Sequence, residues 1–140
     1  MFTQSTEIGR LILVRMDTGE DILNTLRAAV AQHRIRNALI LGEVGSIQGY
    51  HIHVVDTTTM PPHDLFLKGD GPFDVISMNG LVIDGRVHTH ITFSDAQKAM
   101  GGHLEEGCRV LTFSVAYLLE TPNAGLTGWD RIGPLKVDKQ

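Results

Sequence analysis

The chain has 140 residues, 42% of them hydrophobic and 20% charged, which is enough to bury a real core and far from the make-up of a disordered tract. Twelve Lys and Arg face 16 Asp and Glu, a formal net charge of -4, which argues against a general nucleic-acid surface, where cations must displace counterions from phosphate. No apolar run nears the roughly 18 residues needed to cross a bilayer, no charged-then-apolar leader opens the chain, and the lone Cys108 precludes an internal disulfide, so the expected compartment is the cytoplasm.

Residues Arg10–Met16 (RLILVRM) are apolar and branched enough for a strand. The period then changes. Ile22, Leu23, Leu26, Ala29 and Val30 fall on one face at helical spacing, with Asp17 or Thr18 available as a cap and Glu20 and Asp21 at the positive end. Arg34 and Arg36 lie towards the other end, where the helix dipole favours cations, as it does for His33. NALILGEVGSIQGYHIHVVD reads as two strands joined through a Gly-rich turn, in which Gly42, Gly45 and Gly49 permit bends or bulges. TTTMPPHD is a loop.

LFLKGDGPFDVISMNGLVIDGRVHTHITFS reads as three strands, with GDGP, NG and DG as turn signals. RVLTFSVAYLLE is a final strand, and the tail 121–140 is mostly irregular. The predicted whole is one domain, 1–140: an α+β fold with a mostly antiparallel sheet of six or seven strands packed with one main helix.

The chemistry concentrates in RVHTHITFSDAQKAMGGHLEEG. Alternate residues of a strand share a face, so His88 and His90 point the same way and can hold one cation between them. Zinc commonly takes three protein nitrogens and leaves a fourth position open, and His103 can supply the third if its loop folds back over the strand. Gly101 and Gly102 would permit that approach without a side-chain clash. The alternative from spacing alone is a solvated sheet face and an ordinary turn histidine. His51 and His53 repeat the spacing, with His63 as a distant third, and read as partly exposed or supporting donors. Cys108, among apolar residues, reads as a buried thiol. Glu105 and Glu106 are either solvated or placed to take a proton from metal-acidified water. GDG after Lys68 lacks the helix and the Gly-Lys-Ser/Thr ending of a phosphate loop.

TGEDILNTLRAAVAQHRIRNALILGEVGSIQ, GPFDVISMNGLV and VHTHITFSDAQKAMGGHLEEGCRV, in that order, resemble the PPC domain of plants and prokaryotes, from about Arg10 to Glu120. The resemblance implies an antiparallel sheet beside a helix, usually assembled as a homotrimer in which a neighbour can complete a pocket. Some prokaryotic members look like zinc proteins, and that histidine set falls on His88, His90 and His103. In plant members the segment matching GPFDVISMNG is tied to assembly, so Phe73, Val75 and Ile76 serve either an interface or the core. Plant members also carry a preceding Arg-Gly-Arg-Pro segment that binds the DNA minor groove. It does not occur here, which leaves DNA binding without physical support.

The expected function is a cytoplasmic homotrimeric metal-binding domain, its zinc held by three histidines and open to water or a small anionic ligand. Binding requires neutral imidazoles and should weaken below about pH 6.5. The alternatives are a zinc-dependent small-molecule hydrolase or lyase, and a DNA-binding regulator by analogy with the plant proteins. Neither a membrane nor nucleic acid is an expected partner.

Overall fold

A computed structural model describes residues 1–136. In chain order these form β1 (Leu11–Asp17), α1 (Ile22–Gln32), β2 (Ala38–Val55), β3 (Asp64–Ile83), β4 (Arg86–Ser94), β5 (Ala99–Leu104) and β6 (Arg109–Glu120). The six strands make one antiparallel sheet in the order β1-β6-β2-β3-β4-β5. A further pairing of β2 with β5 brings the far end of the sheet back on itself, so that β2, β3, β4 and β5 form a closed ring. The α+β class holds, although helix is a small part of it.

Alternation builds the core. Ile12, Val14 and Met16 of β1 are buried, as are Ile22, Leu23, Leu26 and Val30 of α1, the face that the helical spacing predicts. Thr89, Ile91 and Phe93 of β4 turn inward too. Phe93 meets Tyr50 and Phe73 in an aromatic cluster with ring centroids 5.0 and 5.2 Å away. Phe73 and Val75 therefore belong to the core, whereas Ile76 is exposed.

Four expectations are corrected. The helix is capped by Asp21, whose Oδ1 accepts from the Asn24 amide at 3.0 Å, and not by Asp17 or Thr18. The Thr18 hydroxyl instead donates to the Thr112 carbonyl at 2.8 Å. NALILGEVGSIQGYHIHVVD is one 18-residue strand rather than two. Its glycines make bulges, with register shifts at Ile40/Gly42, Gly45/Ile47 and Ile47/Gly49 against β6, and these curve the strand without ending it. Likewise GDGP and NG lie inside the 20-residue β3. There Gly69 leaves room for the Tyr50 ring, and Gly80 lets β4 lie close. DG alone turns, with Asp84 at φ 49° and Gly85 at φ 80°, the conformation of a tight hairpin. Lastly, AMGGHL is a strand, β5, and not a loop.

Thr121–Lys136 contains neither helix nor strand, and 137–140 of the tail lie outside the described residues. No helix among the described residues is long and apolar enough to cross a membrane.

One core residue is an acid. Glu43 is 5% exposed; one of its oxygens accepts from the Ser114 hydroxyl and Oε2 has no partner. Burial pushes its carboxyl from an ordinary 4.5 up to about 7, against the lowering effect of Ser114. The native chain thus retains a proton that the unfolded chain releases. The contribution of Glu43 to stability is fully present below about pH 4.5 and is lost as pH rises through about 7. The total loss is about 3 kcal/mol, at ~1.4 kcal/mol per unit. Glu43→Gln is expected to abolish this loss. Urea unfolding of both proteins near pH 5 and pH 8 tests it: the variant gains on wild type as pH rises, and parallel behaviour would refute the assignment.

Candidate metal centre

The ring closure sets a row of histidines across three neighbouring strands. His53 on β2 is the direct register partner of His103 on β5, and His103 is that of His90 on β4. His88, two residues before His90, shares its face. Their inward neighbours Ile52, Leu104, Thr89 and Ile91 are buried, so the histidines project from the opposite surface. The His103 ring lies 4.7 Å from that of His88, 5.4 Å from that of His90 and 4.5 Å from that of His53, centroid to centroid.

One ligand atom from each of His88, His90 and His103 falls within 4.8 Å of the other two, a spacing that one small cation can span. A second set, His53, His103 and Glu105, meets the same limit and shares His103. Burial, followed by the neighbouring His53 and His88, pushes the His103 imidazole down to about 4. Burial and the same two neighbours also lower His90. These rings are therefore unprotonated at neutral pH with lone pairs available, which fits a borderline-soft divalent ion. Protons compete for His103 only near pH 4, below the limit expected of a free imidazole.

The four histidines line a pocket of about 460 Å³ together with Val54, Val55, Pro62, Asp64 and Ile132. The glycines have the role the sequence implies. A Cβ on Gly102 would meet the Val54 side chain at 2.9 Å and one on Gly101 the Thr92 hydroxyl at 3.0 Å, so both let β5 settle between β2 and β4.

The two acids part company. Glu105 Oε1 accepts from His53 Nδ1 at 2.7 Å beside the cluster, whereas Glu106 pairs with Arg27. His51 Nδ1 donates to the Glu106 carbonyl at 2.8 Å and His63 Nδ1 to Asp56 at 2.7 Å, and neither histidine belongs to a candidate set. His33 is the C-cap of α1. Cys108 is fully buried, and burial pushes its thiol up to about 12, well away from nucleophilic chemistry.

Sequence reasoning missed two residues. His53 has the right spacing, but its strand neighbours were unknown, and only the closing β2–β5 pair brings it to His103. Asp130 sits in the irregular tail, yet its Oδ2 accepts from His88 Nδ1 at 3.3 Å and from Arg86 Nη2 at 3.0 Å. Nothing in its local sequence marks it.

Together these features define an α+β sheet domain that carries a histidine cluster of metal-ligand spacing. The model of the Plants and Prokaryotes Conserved (PCC) domain matches residues 3–121, and the chain belongs to that family. A plant- and prokaryote-conserved protein from Pyrococcus horikoshii has the same fold, with 25% identity and a TM-score of 0.75 over 89% of this chain and 87% of that one. A metal-containing protein from Archaeoglobus fulgidus, 21% identical, superposes with a TM-score of 0.73 over 86% and 87% of the two chains. Among curated proteins, the bifunctional protein GlmU of a Synechococcus strain is 26% identical over 110 residues. The match takes in 78% of this chain but spans only 16% of the length of that relative.

Proposed function

We propose that the protein is a cytoplasmic homotrimeric metal-binding domain, with a zinc-type divalent ion held by His88, His90 and His103. The observation that carries this reading is the meeting of three imidazoles within 4.8 Å on adjacent strands, two of which, His90 and His103, burial keeps unprotonated at neutral pH. The shared fold with a metal-containing archaeal protein supports it. A bound ion of this type supplies Lewis-acid chemistry. The pocket that these histidines line together with Val54, Val55, Pro62, Asp64 and Ile132 gives a small ligand room beside the ion. Support for self-association comes from Leu11, Leu13, Val44 and Phe113, all exposed on the sheet face away from α1, a patch that further copies of the chain would bury.

The test is zinc titration of tag-free, chelator-stripped protein, with bound metal counted by elemental mass spectrometry and mass in solution by light scattering. About one zinc per chain in a particle of three chains is expected. Protein that takes up no divalent transition metal would overturn the reading.

One observation favours a second reading, a zinc-dependent small-molecule hydrolase or lyase. Glu105 accepts from His53 Nδ1 at the wall of the pocket, a carboxylate–imidazole pair of the kind used for proton transfer. Turnover of a small ester or oxo-acid that chelation stops and Glu105→Gln slows would separate the enzyme from a passive binder.

A further inference from the structure

We propose that Asp130 is the positioning residue of the metal centre, its carboxylate holding His88 with the proton on Nδ1 and Nε2 free for the ion. The inference rests on the metal reading above and adds a residue that the family match, ending at 121, does not contain.

Several observations converge on this carboxylate. Its side chain is only 9% exposed although it comes from a segment with no regular structure. Oδ2 accepts from His88 Nδ1, and Arg86 Nη2 reaches both oxygens, at 3.2 and 3.0 Å. Beside the Arg86 guanidinium the carboxylate oxygens serve as acceptors, and the imidazole N–H is what His88 has to give them. A neutral imidazole has one N–H; when a carboxylate takes it on Nδ1, the lone pair is left on Nε2. Ligating histidines commonly make such a bond, which fixes both ring orientation and tautomer.

Seating of the tail does not depend on Asp130. Leu126 is buried, Thr127 Oγ1 donates to Asp84 Oδ2 at 2.7 Å, and the Asn37 side-chain amide donates to the Ala124 carbonyl at 2.7 Å. The same tail places Ile132 in the pocket wall. The carboxylate can therefore be removed while its segment stays docked.

The experiment compares wild type with Asp130→Ala, Asp130→Asn and Thr127→Val, the last cutting a tail tether to Asp84 that makes no hydrogen bond to His88. Zinc affinity is measured by competition with a chromophoric chelator, and the His88 tautomer in metal-free protein by long-range proton–nitrogen NMR. Asp130→Ala is expected to weaken zinc about 10–100-fold, the usual effect of losing such a partner. The His88 proton should then distribute between the two nitrogens. Asp130→Asn, which keeps an acceptor oxygen, should recover part of both, and Thr127→Val neither effect. An unchanged affinity in Asp130→Ala, or an equal loss in Thr127→Val, would overturn the proposal. If wild type binds no zinc, the metal reading fails by itself. The tautomer still reports on Asp130: a His88 ring indifferent to Asp130→Ala would remove the positioning role.

Discussion

His103→Ala is expected to leave the protein without bound metal while the fold persists. His103 is the member common to both candidate sets, sits between His53 and His90 in the strand register, and has an imidazole that burial pushes down to about 4. Structural zinc binding of ~10–16 kcal/mol divided among the ligands makes one imidazole worth roughly a hundredfold to a thousandfold in affinity. The side chain projects from the outer surface while Leu104 beside it fills the core, so the sheet does not depend on the ring. Companion variants sharpen the result. His90→Ala should lose the metal as well, and His53→Ala should retain it if the ion lies with His88 and His90. The reverse pattern would place the ion with His53 and Glu105. His51→Ala, whose ring bonds to the Glu106 carbonyl, should change nothing. Elemental mass spectrometry of the four proteins, with circular dichroism as the fold control, decides among these outcomes.

The second large effect falls on the strand beneath the cluster. Gly80 of β3 pairs with Thr89 of β4, and a Cβ there would stand 2.6 Å from the Thr89 Cα and closer still to the His88 carbonyl oxygen. The obstacles are backbone atoms, and no side-chain rotation relieves them. Gly80→Val must therefore separate β3 from β4 at the point where His88 and His90 are displayed. A cost on the order of 4 kcal/mol or more is expected, beyond the ~1–3 kcal/mol of ordinary overpacking. Loss of soluble protein or a sharply lowered urea midpoint is the anticipated result, with Gly80→Ala milder and weakened in metal affinity. A Gly80→Val protein as stable as wild type would mean that β3 and β4 do not lie this close.

Local signals proved most legible where one principle acted alone. The single helix follows from an apolar face at helical spacing, β6 from an uninterrupted branched and aromatic run, and the Asp84–Gly85 hairpin from a dipeptide that tolerates positive φ. Glycine was ambiguous. In GEVGS, GDGP and NG the missing Cβ serves strand bulges and close packing against Ser114, Tyr50 and Thr89, and these partners are remote in sequence. A local reading therefore takes the same residues as turns. AMGGHL has the local look of a loop for a related reason: its glycines are needed because β2 and β4 flank it.

The sequence by itself determined the α+β class, the family resemblance and the nomination of His88, His90 and His103, because strand alternation and short motifs are properties of neighbouring residues. Tertiary structure decided which histidines meet. The β2–β5 pairing brings His53 to His103, separated by fifty residues of chain, and the docked tail carries Asp130 to His88 across forty-two. Such encounters depend on how strands close and where a tail packs, and no local period encodes either.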